Sequence, residues 1–125
     1  DFGCLTILAQ DEIGGLKIRQ ADGTWITASP RPDTLVINLG DMLELWTGHY
    51  FMATPHRVQS PRGASTRYSI PFFFEPDLDT MVTPIAPESL PPFEREPSNI
   101  PPLEPILYGQ HLLAAFHRSY PGIAP

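Results

Sequence analysis

Short runs of apolar or alternating residues recur from Leu5 to Phe74, each bounded by Gly, Pro, Asn, Asp or Ser: LTIL, GLKIRQ, TWITA, TLVINL and RYSIPFFF. Runs this short, with turn residues between them, predict β-strands rather than helices, and their recurrence predicts an all-β sandwich or barrel. The tetrapeptide ADGT separates two of the runs. Asp22-Gly23 suits the positive backbone angles of a tight turn, so residues 16–20 and 24–28 are expected to pair antiparallel. On that hairpin Lys17 and Arg19 alternate with apolar neighbours and are expected to face solvent.

Two segments break the strand pattern. In GDMLELWTG, Asp41 is placed to cap a helical turn, and Glu44 three residues later to reach back as in a capping box. Past Phe74 the composition shifts: residues 76–105 contain nine prolines, which forbid a continuous helix or a central strand and predict an irregular, extended arm. Pro105 suits a first helical position. The following ILYGQHLLAAFHRSY sets Tyr108, Leu112 and Phe116 four residues apart. This predicts a terminal helix of about three to four turns that packs one apolar face on the β body. Phe72, Phe73 and Phe74 are expected in the core, and Trp25 and Trp46 as core or shielding aromatics.

Composition narrows the function classes. A chain of 125 residues is long enough for one domain with a core. Fourteen acidic against eight basic residues give a net charge of −6, which disfavours a nucleic-acid partner. The single cysteine, Cys4, permits no internal disulfide and fits a reducing compartment, and no apolar run reaches membrane-spanning length. A soluble, cytoplasmic protein is the expectation. The chain opens on Asp1 rather than Met and at strand-like density, as a fragment or processed piece would.

The candidate chemistry centres on TPHRVQSPRGASTRYSIPFFF, residues 54–74. In a strand, Arg67 and Ser69 would project from one face and Tyr68 and Ile70 from the other. A guanidinium fork beside a hydroxyl suits a carboxylate, which could belong to a ligand or to a protein Asp or Glu. His56 is isolated, and His111 and His117 lie six apart on the expected helix and share no face. With no dense His or Cys cluster, a zinc finger is excluded and a closed structural zinc site disfavoured. A carboxylate and two imidazoles from distant strands could still hold ferrous iron on one side, with positions open on the other. Asn38 and Asp41 are expected to serve turn and capping geometry around NLGD, and His49 to be a loop residue.

A resemblance singles out that last possibility. Residues 1–79, with GLKI, NLGD, PHRV and RYS in order, resemble the C-terminal catalytic core of the isopenicillin N synthase-like iron(II)/2-oxoglutarate-dependent oxygenases, and LYGQHLLAAF resembles the last helix of that family. The family pattern is His-x-Asp, a gap of fifty-odd residues, a second His, then about ten residues to Arg-x-Ser. The resemblance implies a double-stranded β-helix (jelly roll) core over 1–79, with the proline-rich arm and C-terminal helix of 80–125 packed on it. It implies that Asp1 and His56 are metal ligands for Fe(II), and that Arg67 and Ser69 bind the distal carboxylate of 2-oxoglutarate. The first histidine of His-x-Asp would lie two residues before Asp1, outside this chain. The 125 residues would then supply at most two of three protein ligands, and alone they are expected to bind iron poorly and turn over little. The implied activity is hydroxylation or desaturation of a small organic molecule with dioxygen, giving succinate and CO2. Two alternatives stand beside it: an iron oxidase of the same family that does not use 2-oxoglutarate, and a non-catalytic β-sandwich binding module.

Overall fold

The computed structural model describes residues 1–59, 63, 66–92 and 104–122. In chain order the first strands are β1 (Leu5–Gln10), β2 (Leu16–Arg19), β3 (Trp25–Thr27), β4 (Val36–Leu39), β5 (His56–Val58) and β6 (Ser69–Phe74), with helix α1 (Asp41–Trp46) between β4 and β5. They form two three-stranded antiparallel sheets, ordered β4-β1-β6 and β3-β2-β5. The chain passes back and forth between these sheets, which is how a rolled double sheet is wound.

The hairpin forms as expected, with Ile18 opposite Ile26 and Arg19 opposite Trp25. Only Gly23 of the expected pair takes a positive φ, at 86°. Its N–H donates to the Gln20 carbonyl, and the Gln20 N–H to the Thr24 carbonyl, at 2.9 and 2.8 Å. Asp22 contributes through its side chain, which accepts the Thr24 N–H at 2.8 Å. Trp25 lies half-exposed under the Arg57 guanidinium, 4.2 Å from the ring centre.

Register in the first sheet fixes which residues share a face. Thr6 lies opposite Asn38 on one side and Phe73 on the other, and Gln10 opposite Ser69. Thr6, Leu8 and Gln10 therefore share a face with Asn38, Val36, Ser69 and Pro71. The opposite face carries Leu5, Ile7, Ile37, Ile70, Phe72 and Phe74. The expectation that the three phenylalanines are core does not hold: Phe72, Phe73 and Phe74 are 61%, 52% and 60% exposed. β6 is an edge strand, with Phe73 on the face of Thr6 and Phe72 and Phe74 on the opposite face. A continuous apolar run looks the same in sequence whether or not the surface that covers it lies within the same segment.

Helix α1 forms where GDMLELW breaks the strand pattern, but it is not capped as expected. Its N-cap is Gly40, and no side chain caps it. The free N–H groups of its first turn instead take carbonyls from the segment before β1. Gly40 donates to Cys4, Asp41 to Asp1 and Met42 to Gly3, at 2.9, 2.8 and 3.0 Å. A side chain at position 40 would collide with the Gly3 carbonyl oxygen, so this close approach requires glycine. The helix start thereby anchors Asp1.

The core lies behind this junction. Cys4, Met42, Val82 and Tyr108 are buried together, with Leu5, Leu43, Trp46, Ile106 and Leu112 packed around them. A short ribbon, β7 (Met81–Val82) with β8 (Ile106–Leu107), brings helix α2 (Tyr108–Ser119) onto the core. The helix starts later than Pro105 suggests, because residues 106–107 pair as a strand first. Its buried face is Tyr108, His111 and Ala115, and Phe116 remains 38% exposed. In the proline-rich arm the described residues include a 3-10 turn at Pro87–Ser89, and residues 93–103 lie outside the description. Among the described residues no helix is long and apolar enough to cross a membrane.

Candidate metal and anion site

Asp1 and His56 are brought together from fifty-five positions apart. Asp1 is held by the start of α1, and His56 opens β5, where its backbone lies opposite Ile18. His56 Nε2 lies 3.4 Å from Asp1 Oδ1, and both side chains are part-buried. The other atom of each group is already engaged. Asp1 Oδ2 accepts the Thr6 hydroxyl at 2.6 Å and the Asn38 amide at 2.8 Å. His56 Nδ1 lies 3.1 Å from the Thr54 carbonyl. A carbonyl only accepts, so Nδ1 carries a proton, and Nε2 is the ring atom turned toward a carboxylate oxygen. A proton or a cation between these two atoms satisfies both. Metal bonds of about 2.0–2.2 Å to nitrogen and oxygen, at right angles, set two donors roughly 3 Å apart. The pair fits a divalent cation. It lines a cleft of about 450 Å³ with Asp41, Glu44, Ala53, Thr54 and Pro55. Among the described residues no three His, Cys, Asp or Glu side chains converge on one metal position.

Arg67 and Ser69 are also brought together. Arg67 Nη1 donates to Ser69 Oγ at 2.8 Å, and Arg67 Nε to the Gly14 carbonyl at 2.7 Å. The remaining nitrogen, Nη2, is buried and meets no acceptor among the described residues. Among the described residues no carboxylate pairs with this guanidinium. A buried cationic donor left open is costly unless an anion fills the place. Ser69 lies on the same sheet face as Thr6 and Asn38, so the anion fork and the Asp1–His56 pair open on one side of the sheet.

Thr6 and Asn38 are site residues that sequence reasoning misses. Asn38 does not serve the turn around NLGD; it orients the Asp1 carboxylate. The available signal was polar side chains at inward positions of otherwise apolar strands, and Thr6 is indeed buried. Glu44 does not reach back as a capping box. It reaches forward, accepting from His49 Nδ1 at 2.8 Å and from the Ala53 N–H at 2.7 Å.

Other titratable groups lie in the core. Burial, and then the Glu75 carboxylate, push the Cys4 thiol up, which leaves it protonated and unreactive. Burial and Glu75 likewise push the Tyr108 hydroxyl well up. Burial pulls His111 below its ordinary 6.5, opposed by the Phe2 carbonyl and Asp41.

A double sheet that turns a carboxylate–imidazole pair and an open guanidinium to one face offers places for a cation and an anion side by side. Residues 1–76 match the 2OG-Fe(II) oxygenase superfamily, and the chain belongs to that family. It is 46% identical over 85 residues to a probable iron/ascorbate oxidoreductase of Dictyostelium discoideum, covering 68% of this chain and 23% of that one. It is 39% identical over 117 residues to a homoarginine-6-hydroxylase of Oryza sativa subsp. japonica, covering 90% and 33%. Its fold matches the crystal structure of a full-length Neurospora crassa protein in complex with alpha-KG and thymine, with a TM-score of 0.76 at 31% identity, over 96% of this chain and 36% of that one. The chain thus spans about a quarter to a third of the length of the proteins it matches.

Proposed function

We propose that Asp1 and His56 are two of the protein ligands of an iron(II) centre, and that Arg67 with Ser69 binds the distal carboxylate of 2-oxoglutarate. The whole protein is then an oxygenase that hydroxylates or desaturates a small organic molecule, with succinate and CO2 as co-products. A third protein ligand, outside the described residues, completes the set. The bound metal supplies the redox chemistry that joins 2-oxoglutarate decarboxylation to substrate oxidation. The chain's own residues do the rest. Thr6 and Asn38 fix one carboxylate oxygen of Asp1 so that the other faces the cation. The Thr54 carbonyl holds the His56 tautomer that presents Nε2. Gly14 and Ser69 fix the plane of the Arg67 fork so that its free edge meets a carboxylate. The relatives' names support a small polar substrate, since one hydroxylates homoarginine and another is solved with alpha-KG and thymine.

The single observation that carries the reading is the 3.4 Å apposition of His56 Nε2 and Asp1 Oδ1, with the outer atom of each already hydrogen-bonded. The test is stoichiometric. With Fe(II), dioxygen and a panel of small amino-acid-like and pyrimidine substrates, the protein expressed from its complete gene should release succinate in step with substrate loss. Substrate oxidation without succinate would replace this reading with an iron oxidase that does not use 2-oxoglutarate. No iron binding at all would leave a non-catalytic module.

A further inference from the structure

Resting on the metal reading of Asp1 and His56, we propose that Glu44 is a positioning residue for the metal face: by its length rather than its charge, it sets the orientation of His56 through the loop that leads into it.

The loop is residues 47–55, between α1 and β5. It begins with a left-handed turn in which Gly48 and His49 have φ of 58° and 63°. For histidine that conformation is unfavourable and persists only where contacts hold it. Glu44 supplies one of those contacts. Its Oε1 accepts from His49 Nδ1 at 2.8 Å, beside a backbone bond from the His49 N–H to the Glu44 carbonyl at 2.8 Å. The buried Thr47 adds a further anchor by accepting the Phe51 N–H at 3.2 Å. The second oxygen of Glu44 crosses the mouth of the loop and takes the Ala53 N–H at 2.7 Å. One carboxylate therefore fastens both the near and the far end of the turn.

Only Thr54 and Pro55 stand between that far fastening at Ala53 and His56. The Pro55 carbonyl is fixed from the other side by the Arg19 N–H at 2.9 Å. Proline holds its own φ and keeps Thr54 extended, so little rotational freedom remains between the two fastenings. Within this span lies the Thr54 carbonyl that receives His56 Nδ1. Release of Ala53 would let this carbonyl swing, and the imidazole would lose the bond that fixes its tautomer and ring plane. Partners of this kind tune a metal site although they never touch the metal. Glu44 also lines the cleft with Asp1 and His56, which raises the competing idea that it acts as a nearby negative charge. Length and charge make opposite predictions.

The test compares Glu44→Gln, which keeps the span and removes the charge, its amide oxygen accepting the Ala53 N–H and its NH2 donating to His49 Nδ1 in the other ring tautomer, with Glu44→Asp, which keeps the charge and is one methylene shorter. Mn(II) affinity, read by titration of the apo protein expressed from its complete gene, should fall about tenfold or more in Glu44→Asp. It should stay within threefold of the parent in Glu44→Gln. In parallel, the His56 Nδ1–H signal in a nitrogen-15 spectrum of the metal-free protein should persist in Glu44→Gln and broaden or vanish in Glu44→Asp. The reverse order, with Gln impaired and Asp intact, overturns the positioning role, and so do equal affinities in all three proteins. Should Glu44→Asp fail to fold, His49→Ala, which removes one fastening at a part-exposed site, must lower Mn(II) affinity and weaken the same signal; an unchanged affinity there overturns the inference. A parent protein that binds no Mn(II) contradicts the metal reading itself, and the nitrogen-15 comparison then stands alone as the test of Glu44.

Discussion

Arg67→Ala is the perturbation whose size the structure sets best. In the folded protein Nε and Nη1 are engaged by Gly14 and Ser69, which leaves Nη2 as the buried donor open to an anion. A hydrogen bond between charged partners is worth about 1.5–3 kcal/mol, so its loss should weaken 2-oxoglutarate binding by roughly 10- to 150-fold. The assay is calorimetric titration of the Mn(II)-loaded protein without dioxygen. It is run with 2-oxoglutarate and with 2-oxobutanoate, which keeps the keto-acid end and lacks the distal carboxylate. The parent should prefer 2-oxoglutarate strongly, Arg67→Ala should lose most of that preference, and 2-oxobutanoate should bind both proteins alike. Arg67→Lys should fall between them, because an ammonium keeps the charge but cannot hold Gly14, Ser69 and a ligand in one plane. A preference unchanged within twofold in Arg67→Ala would refute the assignment. A parallel loss of both ligands would show instead that the substitution had released Gly14 and deformed the sheet.

Two further outcomes are expected. Asn38→Ala should leave Asp1 Oδ2 held by Thr6 alone and lower Mn(II) affinity by about tenfold, while the remaining Thr6 bond keeps the unfolding midpoint nearly unchanged; an affinity equal to the parent's would remove Asn38 from the site. His111 gives a pH signature: its folded pKa lies below 6.5, so as pH falls below 6.5 the unfolded chain takes up the proton first and stability declines until the folded pKa is passed. Urea unfolding between pH 5 and 7.5 should show that decline, and His111→Gln should flatten it; an identical slope in the variant would assign the decline to other groups.

The strands, the hairpin and the one short helix were legible because each is written locally, in alternation, in Asp-Gly, and in the break at GDMLELW. The pairing of Arg67 with Ser69 was legible in strand alternation, and Asp1 with His56 only through the family resemblance. What holds them was not. Asn38 looked like a turn former because its local neighbours are turn formers, whereas its partner lies thirty-seven residues away. Glu44 fitted a capping box by spacing. The N–H groups of residues 40–42, however, take the carbonyls of Cys4, Asp1 and Gly3, and the carboxylate turns the other way. The phenylalanines of β6 were misplaced for a related reason: hydrophobicity shows that a surface wants covering and says nothing of what lies against it.

The most direct test of the central claim is crystallographic. Crystals of the protein expressed from its complete gene, soaked in Mn(II), should show one anomalous peak within about 2.0–2.4 Å of both Asp1 Oδ1 and His56 Nε2. A peak elsewhere, or an Asp1–His56 pair that stays closed with no peak between the two side chains, would contradict the account.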